Sequence, residues 1–200
     1  MNRLTIIGAS GHGKVVAEIA RLNGYEQIAF LDDNESIETC GKYPVVGRTT
    51  AATILDSDLF VAIGESITRK HLMEAFGKER CVTLVHPSAV IAEDAILGPG
   101  TVVMAGAVVN PGTRIGTGCI INTCSSIDHD CVIGDYCHIS VGAHLSGTIV
   151  VGDGTWIAVG ASIANNVKIS GNSIIGAGAV VIRDIVESGT YVGVPVRKIR

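Results

Sequence analysis

The stretch IGTGCIINTCSSIDHDCVIGDYCHISVGAHL, residues 115–145, places Ile115, Ile121, Ile127, Ile133, Ile139 and Leu145 at intervals of six. The interval continues both ways. Ile91, Leu97, Val103 and Val109 precede it in phase, and Val151, Ile157, Ile163, Ile169, Ile175 and Val181 follow, so sixteen consecutive positions are Leu, Ile or Val. With about 40% of the region aliphatic, the chance of such a run is on the order of one in a million, and the period is structural. Four residues after each aliphatic position the slot is mostly small: Ala95, Thr101, Ala107, Thr113, Cys119, Ser125, Cys131, Cys137 and Ala143. One inward aliphatic and one inward small residue per unit describe a short strand and a corner, and three units close a triangular coil. Sixteen units make a little over five coils of a parallel β-helix, over roughly residues 90 to 186.

The bulk numbers agree with such a core. The 200-residue chain is 47% hydrophobic, and its 25 glycines beside only 4% aromatics point to Val, Ile and Ala packed around tight corners. A net charge of −4 with no block of like charge argues against a nucleic-acid partner and favours small molecules. The opening apolar run, residues 4–7, is too short for a signal-peptide core or a membrane span, which predicts a cytoplasmic protein with no membrane partner. Cys40, Cys81, Cys119, Cys124, Cys131 and Cys137 form no CxxC pair and are expected as free thiols.

Residues before the repeat follow a different grammar. RLTIIGASGHGKVVAEIARLNGY, residues 3–25, reads as strand, glycine-rich turn and amphipathic helix; QIAFLDD and DLFVAIG read as two more strands, and TRKHLMEAFG as a helix. This is βαβ order, which implies a small Rossmann-like parallel sheet. The junction falls in VTLVHPSAV, residues 82–90, where Pro87 stiffens the chain, giving an α/β domain over residues 1–86 and a β-helix domain over 87–200.

In GASGHGK, residues 8–14, glycines allow close backbone approach and the following helix offers free N–H groups, an arrangement suited to phosphate. Asp32 and Asp33 end the second strand, where a carboxylate can accept from ribose or base, and Gly64 closes the third at the same sheet edge. The domain is too small for a dinucleotide fold, so one nucleotide is expected.

Cys124, His129, Cys131, Cys137, His138 and His144 crowd together as a metal cluster might, but the small inward slot already accounts for Cys131 and Cys137, so no metal is expected. His129 comes two positions after Ile127, near a corner, and His138 immediately before Ile139; both should point out of the coil. Asp128 and Asp130 flank His129, and either carboxylate could raise its basicity and fix its tautomer. Trp156 and Ile174 continue the His138 column at steps of 18, where contact with a neighbouring subunit or a cofactor is expected, and Asn165 and Asn166 suit a left-handed corner.

The repeat resembles the hexapeptide-repeat acyltransferases, which implies a left-handed coil. More specifically, NTCSSIDHDCVIGDYCHISVGAHLSG with GASGHG, LDD and AIG upstream and GVPVRKI near the end resembles the bacterial sialic-acid O-acetyltransferase and UDP-4-amino-sugar N-acetyltransferase group. That resemblance covers essentially the whole chain and implies acetyl transfer from acetyl-CoA to a sugar, by homotrimers with active sites between neighbouring β-helices. It puts the general base at His129, its acid partner at Asp130 and an oxyanion-binding N–H at Gly147. Ser10, Gly11, His12, Asp32, Asp33 and Gly64 fall on nucleotide-sugar positions, and His138, Val159 and Ala177 on acetyl-CoA positions. The implied reaction is N-acetylation of a nucleotide-linked 4-amino-4,6-dideoxy sugar, with UDP as the expected nucleotide, for bacterial glycan or surface-polysaccharide synthesis. O-acetylation of sialic acid or a polysaccharide, and a non-catalytic nucleotide-binding scaffold, are the alternatives.

Overall fold

The computed structural model describes residues 2–200. Its N-terminal part is a three-stranded parallel sheet in which β1 (Arg3–Ile7) lies between β2 (Gln27–Leu31) and β3 (Asp58–Val61), with Ile6 level with Phe30 and Phe60. Parallel neighbours need crossovers. Helix α1 (Gly11–Leu22) follows β1, and helix α2 (Ser66–Phe76) follows β3. The Ser10 hydroxyl caps α1 by accepting from the Gly13 N–H, and the helix buries Val16, Ile19 and Ala20 at helical spacing.

From Leu84 onward the chain is a parallel solenoid of two-residue strands that repeat every 18 residues on three walls. Wall A runs from Val90–Ile91 to Val180–Val181 and includes Ser126–Ile127. Wall B runs from Ile96–Leu97 to Lys168–Ile169. Wall C begins at Leu84–Val85 and includes Val102–Val103, Ile120–Ile121, His138–Ile139, Trp156–Ile157 and Ile174–Ile175. The second residue of each pair turns inward, so Ile121, Ile127, Ile139 and Ile157 are at 0% exposure in one continuous core. Val85 lies six before Ile91 and pairs with Val103, so the repeat reaches one unit further back than the aliphatic series that starts at Ile91. At the other end the period breaks after Val181. Ile185 bridges to Ile169, Thr190–Val192 extends wall C, and Arg197–Lys198 closes it antiparallel.

From Gly100 to Gly178 each corner has one residue with a left-handed backbone. Glycine fills most of these positions, such as Gly100, Gly112 and Gly118 at φ near 62–73°, and asparagine fills two, Asn166 and Asn172. Asn166 therefore takes the expected left-handed conformation, whereas Asn165 does not.

Wall C is where the two parts join. Its outward residues Leu84, Val102 and Ile120 are as buried as the inward ones, because with Met104 they pack into the core made by Val16, Ile19 and Phe60. Further along the same outward column cover is lost: Trp156 is 45% exposed and Ile174 39%. His138 stands at the edge of the covered zone. Among the described residues no helix is long and apolar enough to cross a membrane.

Ile139, stacked between Ile121 and Ile157, tests the inward column. Ile139→Ala should lower the unfolding free energy by about 2–5 kcal/mol, as large-to-small core changes do. In the same urea titrations the outward Val132→Ala should stay within about 0.5 kcal/mol of the parent.

Candidate active site

His129 sits at the corner between walls A and B, half exposed, and its Nδ1 lies 2.8 Å from Asp130 Oδ2. A carboxylate can only accept here, so the imidazole carries its proton on Nδ1 and leaves the Nε2 lone pair free. The partner left open between Asp128 and Asp130 is thereby settled for the ring. Asp128 Oδ1 instead accepts from the His129 backbone N–H at 2.8 Å and from Asn110 Nδ2 at 2.7 Å. The hydrogen bond to Asp130, then the charge of Asp128, raise the His129 pKa above the usual imidazole range. Asp130 has φ of 57°, a left-handed corner position that a short Asp tolerates. The three non-glycine residues Cys124, Asp130 and Tyr136 all take such conformations within the one coil that carries His129 and His138. Strained backbone of this kind clusters at functional sites.

Gly147 lies one coil beyond, under the His129 ring. A Cβ on Gly147 would stand 2.5 Å from His129 Nε2 and 2.6 Å from Cε1, so only glycine leaves the imidazole its place. The Gly147 N–H makes no hydrogen bond among the described residues.

His138 is in a different environment. Its Nε2 is 3.1 Å from Asn122 Nδ2, while Asn122 Oδ1 accepts from the Thr123 N–H at 2.8 Å. The Thr123 bond fixes which end of the amide is oxygen, so the amide nitrogen must donate to His138 Nε2, and the His138 proton is on Nδ1. The ring stacks on Trp156 at 6.0 Å between centroids and 11° between planes, and Trp156 Nε1–H donates to Ser140 Oγ at 2.7 Å. Burial, then the charges of Arg69 and His12, push the His138 pKa down to about 3; burial and Arg69 push His12 down to about 4. Both are neutral imidazoles at pH 7. His12 Nε2 is buried without a hydrogen-bond partner.

At the α/β sheet edge the glycines separate into two kinds. Gly8 and Gly13 are required by packing, since a Cβ on Gly8 would meet the Ile63 side chain at 2.7 Å and one on Gly13 the Gly8 carbonyl. Gly11 and Gly64 face open space, where an added Cβ would meet nothing within 4 Å, so the fold itself gives no reason for them. The N–H groups of Gly11 and His12 make no hydrogen bond among the described residues. Asp32 is used locally, with Oδ2 accepting from the Ala9 N–H and Oδ1 from the Asn34 N–H. Asp33 accepts from the Thr49 N–H and hydroxyl, which hold its carboxyl below the usual range.

A cleft of about 550 Å³ opens beside His138, between the start of α2 and wall C, with Gly64, Tyr136, Trp156 and Ile174 among its lining. Val159 and Ala177 share one exposed corner column beyond wall C, and their N–H groups make no hydrogen bond among the described residues. Cys131 and Cys137 point their sulfurs at the Ser146 and Gly152 carbonyls, consistent with filler positions in the wall. His12, His138 and Gly64 are thus brought to one side of the molecule, whereas His129, Asp130 and Gly147 lie on another corner of the prism. Two residues were not singled out from sequence: Asn122, which sets the His138 tautomer, and Arg69. Arg69 shares a helical face with Leu72, Met73 and Phe76, a phase that marks it as inward despite its charge.

A βαβ unit with an open glycine turn, joined to a hexapeptide solenoid carrying a paired imidazole and carboxylate at a corner, defines an acyltransferase of the β-helix class. Residues 3–76 match the family model of the PglD N-terminal domain. Over its full length the chain is 38% identical to the acetyltransferase domain of PglB from Neisseria gonorrhoeae FA1090, solved in complex with acetyl coenzyme A, covering 100% of both chains at a TM-score of 0.94. PerB from Caulobacter crescentus, in complex with CoA and GDP-perosamine, is 36% identical over 99% of this chain and 97% of that one, with a TM-score of 0.93. The UDP-N-acetylbacillosamine N-acetyltransferase of Bacillus subtilis (strain 168) is 40% identical over 106 residues, 49% of this chain and 49% of that protein, so the alignment spans about half of that relative's length. The chain belongs to this family of hexapeptide-repeat sugar acetyltransferases.

Gly147→Ala should fold normally, because Gly147 does not occupy a left-handed position, yet lose turnover by about 10² or more as the methyl displaces the imidazole. Circular dichroism and steady-state kinetics on the same preparation check both halves. Asp130 holds the His129 pKa up, so a base form of His129 accumulates only as pH rises past that raised value. Asp130→Asn should move the acid limb of the pH–rate profile to lower pH, together with the His129 midpoint in an NMR titration.

Proposed function

We propose that the chain transfers the acetyl group of acetyl-CoA to the 4-amino group of a nucleotide-linked 4-amino-4,6-dideoxy sugar, with UDP as the nucleotide, for bacterial glycan or surface-polysaccharide synthesis. The observation that carries this reading is the His129–Asp130 pair, with its free Nε2, over a glycine kept clear for it. The relatives support the substrate classes: one is described as bound to acetyl coenzyme A, another to CoA and GDP-perosamine, and a third by name as acting on a UDP-linked amino sugar.

In this reading His129 Nε2 takes the proton from the attacking amine, and Asp130 steadies the imidazolium through Nδ1–H. The amine nitrogen bonds to the thioester carbonyl carbon, whose oxygen becomes an oxyanion, and collapse of the intermediate breaks the C–S bond and releases the CoA thiolate. The unbonded Gly147 N–H is placed to receive that oxyanion, an interaction worth roughly 2.7–4 kcal/mol in comparable sites. His138, a neutral donor at Nδ1, serves the acetyl-CoA end, with Val159 and Ala177 offering backbone N–H groups along the corner. Residues 1–86 bind the nucleotide sugar through Ser10, Gly11, His12, Asp32, Asp33 and Gly64; residues 87–200 carry the transfer.

We read the enzyme as a homotrimer with active sites between neighbouring subunits, a reading this placement supports. His129 and His138 occupy different sides of one prism, so one substrate can reach both only where the His129 corner of one subunit faces the wall C of the next.

The test is thiol release from acetyl-CoA with UDP-, dTDP- and GDP-linked 4-amino sugars and with sialic acid. UDP-linked substrate should be fastest, and His129→Ala should lower kcat by about 10² or more while nucleotide-sugar binding persists. Release with sialic acid alone would establish O-acetylation, and no release from any acceptor the scaffold reading.

A further inference from the structure

Arg69 is 1% exposed, yet no carboxylate lies within salt-bridge distance of it among the described residues. Its guanidinium is met by main-chain carbonyls alone. Nε donates to Gly118 O at 2.7 Å, Nη1 to Ile63 O and Gly64 O at 2.8 Å each, and Nη2 to Tyr136 O at 2.7 Å. Ile63 and Gly64 lie in the loop that leads from β3 to α2; Gly118 and Tyr136 are stacked left-handed corners of the solenoid, and Tyr136 is two residues before His138. Buried cations are costly and are seldom kept without an anionic partner, so a joint needing only adhesion would be better served by apolar residues. The apolar contacts of Leu84, Val102 and Ile120 already supply that adhesion.

We propose that Arg69 is a positioning residue for the transfer reaction: by bridging Gly64 to Gly118 and Tyr136 it fixes the nucleotide-sugar edge of the α/β part against the wall that carries His138. The planar fork is what suits it to the task, since four carbonyls on two separate units are met in one fixed geometry. A lysine in the same place brings one ammonium on a flexible stem and cannot hold both sides in register. The charge has a second effect. The groups facing His138 are Arg69 from α2 and His12 from α1, and those facing Arg69 are Glu65, Tyr136, Cys119 and Cys137. Glu65, at the exposed start of α2, is the carboxylate coupled to it, and Arg69 puts its positive charge beside two imidazoles whose neutral, hydrogen-bonding forms burial already favours.

This inference rests on the proposed reaction for its kinetic arm only. Folded Arg69→Lys, with its melting temperature recorded, should lose about tenfold or more in kcat with the best acceptor while its KM for acetyl-CoA stays within about threefold, the pattern of misplaced reactants. In the full-length protein with 15N-labelled histidine, Arg69→Met should raise the midpoints of His12 and His138 while leaving the exposed His129 unmoved. If Arg69→Met does not fold, Arg69→Gln, uncharged but still a donor, carries the same titration. A purely structural role would lower the melting temperature and the yield while leaving kcat per folded enzyme at its wild-type value, and that result overturns the proposal, as do unchanged midpoints of His12 and His138. Should the wild type prove inert with every acceptor, the transferase reading fails and the imidazole titration still decides the placement of Arg69.

Discussion

One buried guanidinium fixes how the α/β part faces the solenoid, two parts that also share an apolar core. The α/β part closes its own sheet around Ile6, Phe30 and Phe60, and the solenoid fills itself with its aliphatic column. Apolar contact at Leu84, Val102 and Ile120 brings the surfaces together without direction, because hydrophobic contact tolerates sliding. Directional bonds from Arg69 to the carbonyls of Ile63, Gly64, Gly118 and Tyr136 remove that freedom, and their loss would leave those carbonyls and a charge unsatisfied in the interior. The positions of His12, His138 and the cleft beside them all depend on this register.

The two histidine sites then differ because their surroundings differ. His129 stands in the open beside two carboxylates and is made more basic; His138 lies under α2 near a cation and is made less so. Identical side chains nine residues apart are thereby divided between proton acceptor and hydrogen-bond donor. Each tautomer is set by a neighbour with only one possible role: a carboxylate that can only accept at His129, an amide nitrogen that can only donate at His138.

Much of this was legible in the sequence. The aliphatic series at steps of six dictated the solenoid, since each inward position has the same neighbours one coil above and below. The His129–Asp130 pair was legible because its members adjoin in the chain, and the open glycines Gly11 and Gly64 because they sit where the chain passes from a strand towards a helix. Sequence left the choice between Asp128 and Asp130 open, as both adjoin His129 and only the backbone turn at φ of 57° decides which carboxylate swings to the ring. Arg69 and Asn122 were hidden for another reason. Their partners lie 49 and 67 residues away for Arg69 and 16 for Asn122, and contacts of that range depend on how walls and helices stack, not on local spacing. The repeat unit at Leu84–Val85 was masked by Pro87, which suggested a break where the chain in fact continues the coil.

The outward column of wall C passes from Ile120, sealed, through His138 at the edge, to Trp156 and Ile174 in the open. Successive strands on a wall are separated by about 4.8 Å, the spacing of hydrogen-bonded neighbours. The column therefore behaves as a graduated rule with its zero at the His138 ring, and the C-terminal hairpin at Thr190–Val192 marks its far end. A long, flexible molecule laid along it meets features only at whole rungs. Insertion or deletion of a coil would lengthen or shorten this wall by one fixed increment, so its extent is inherited in steps from the number of repeats.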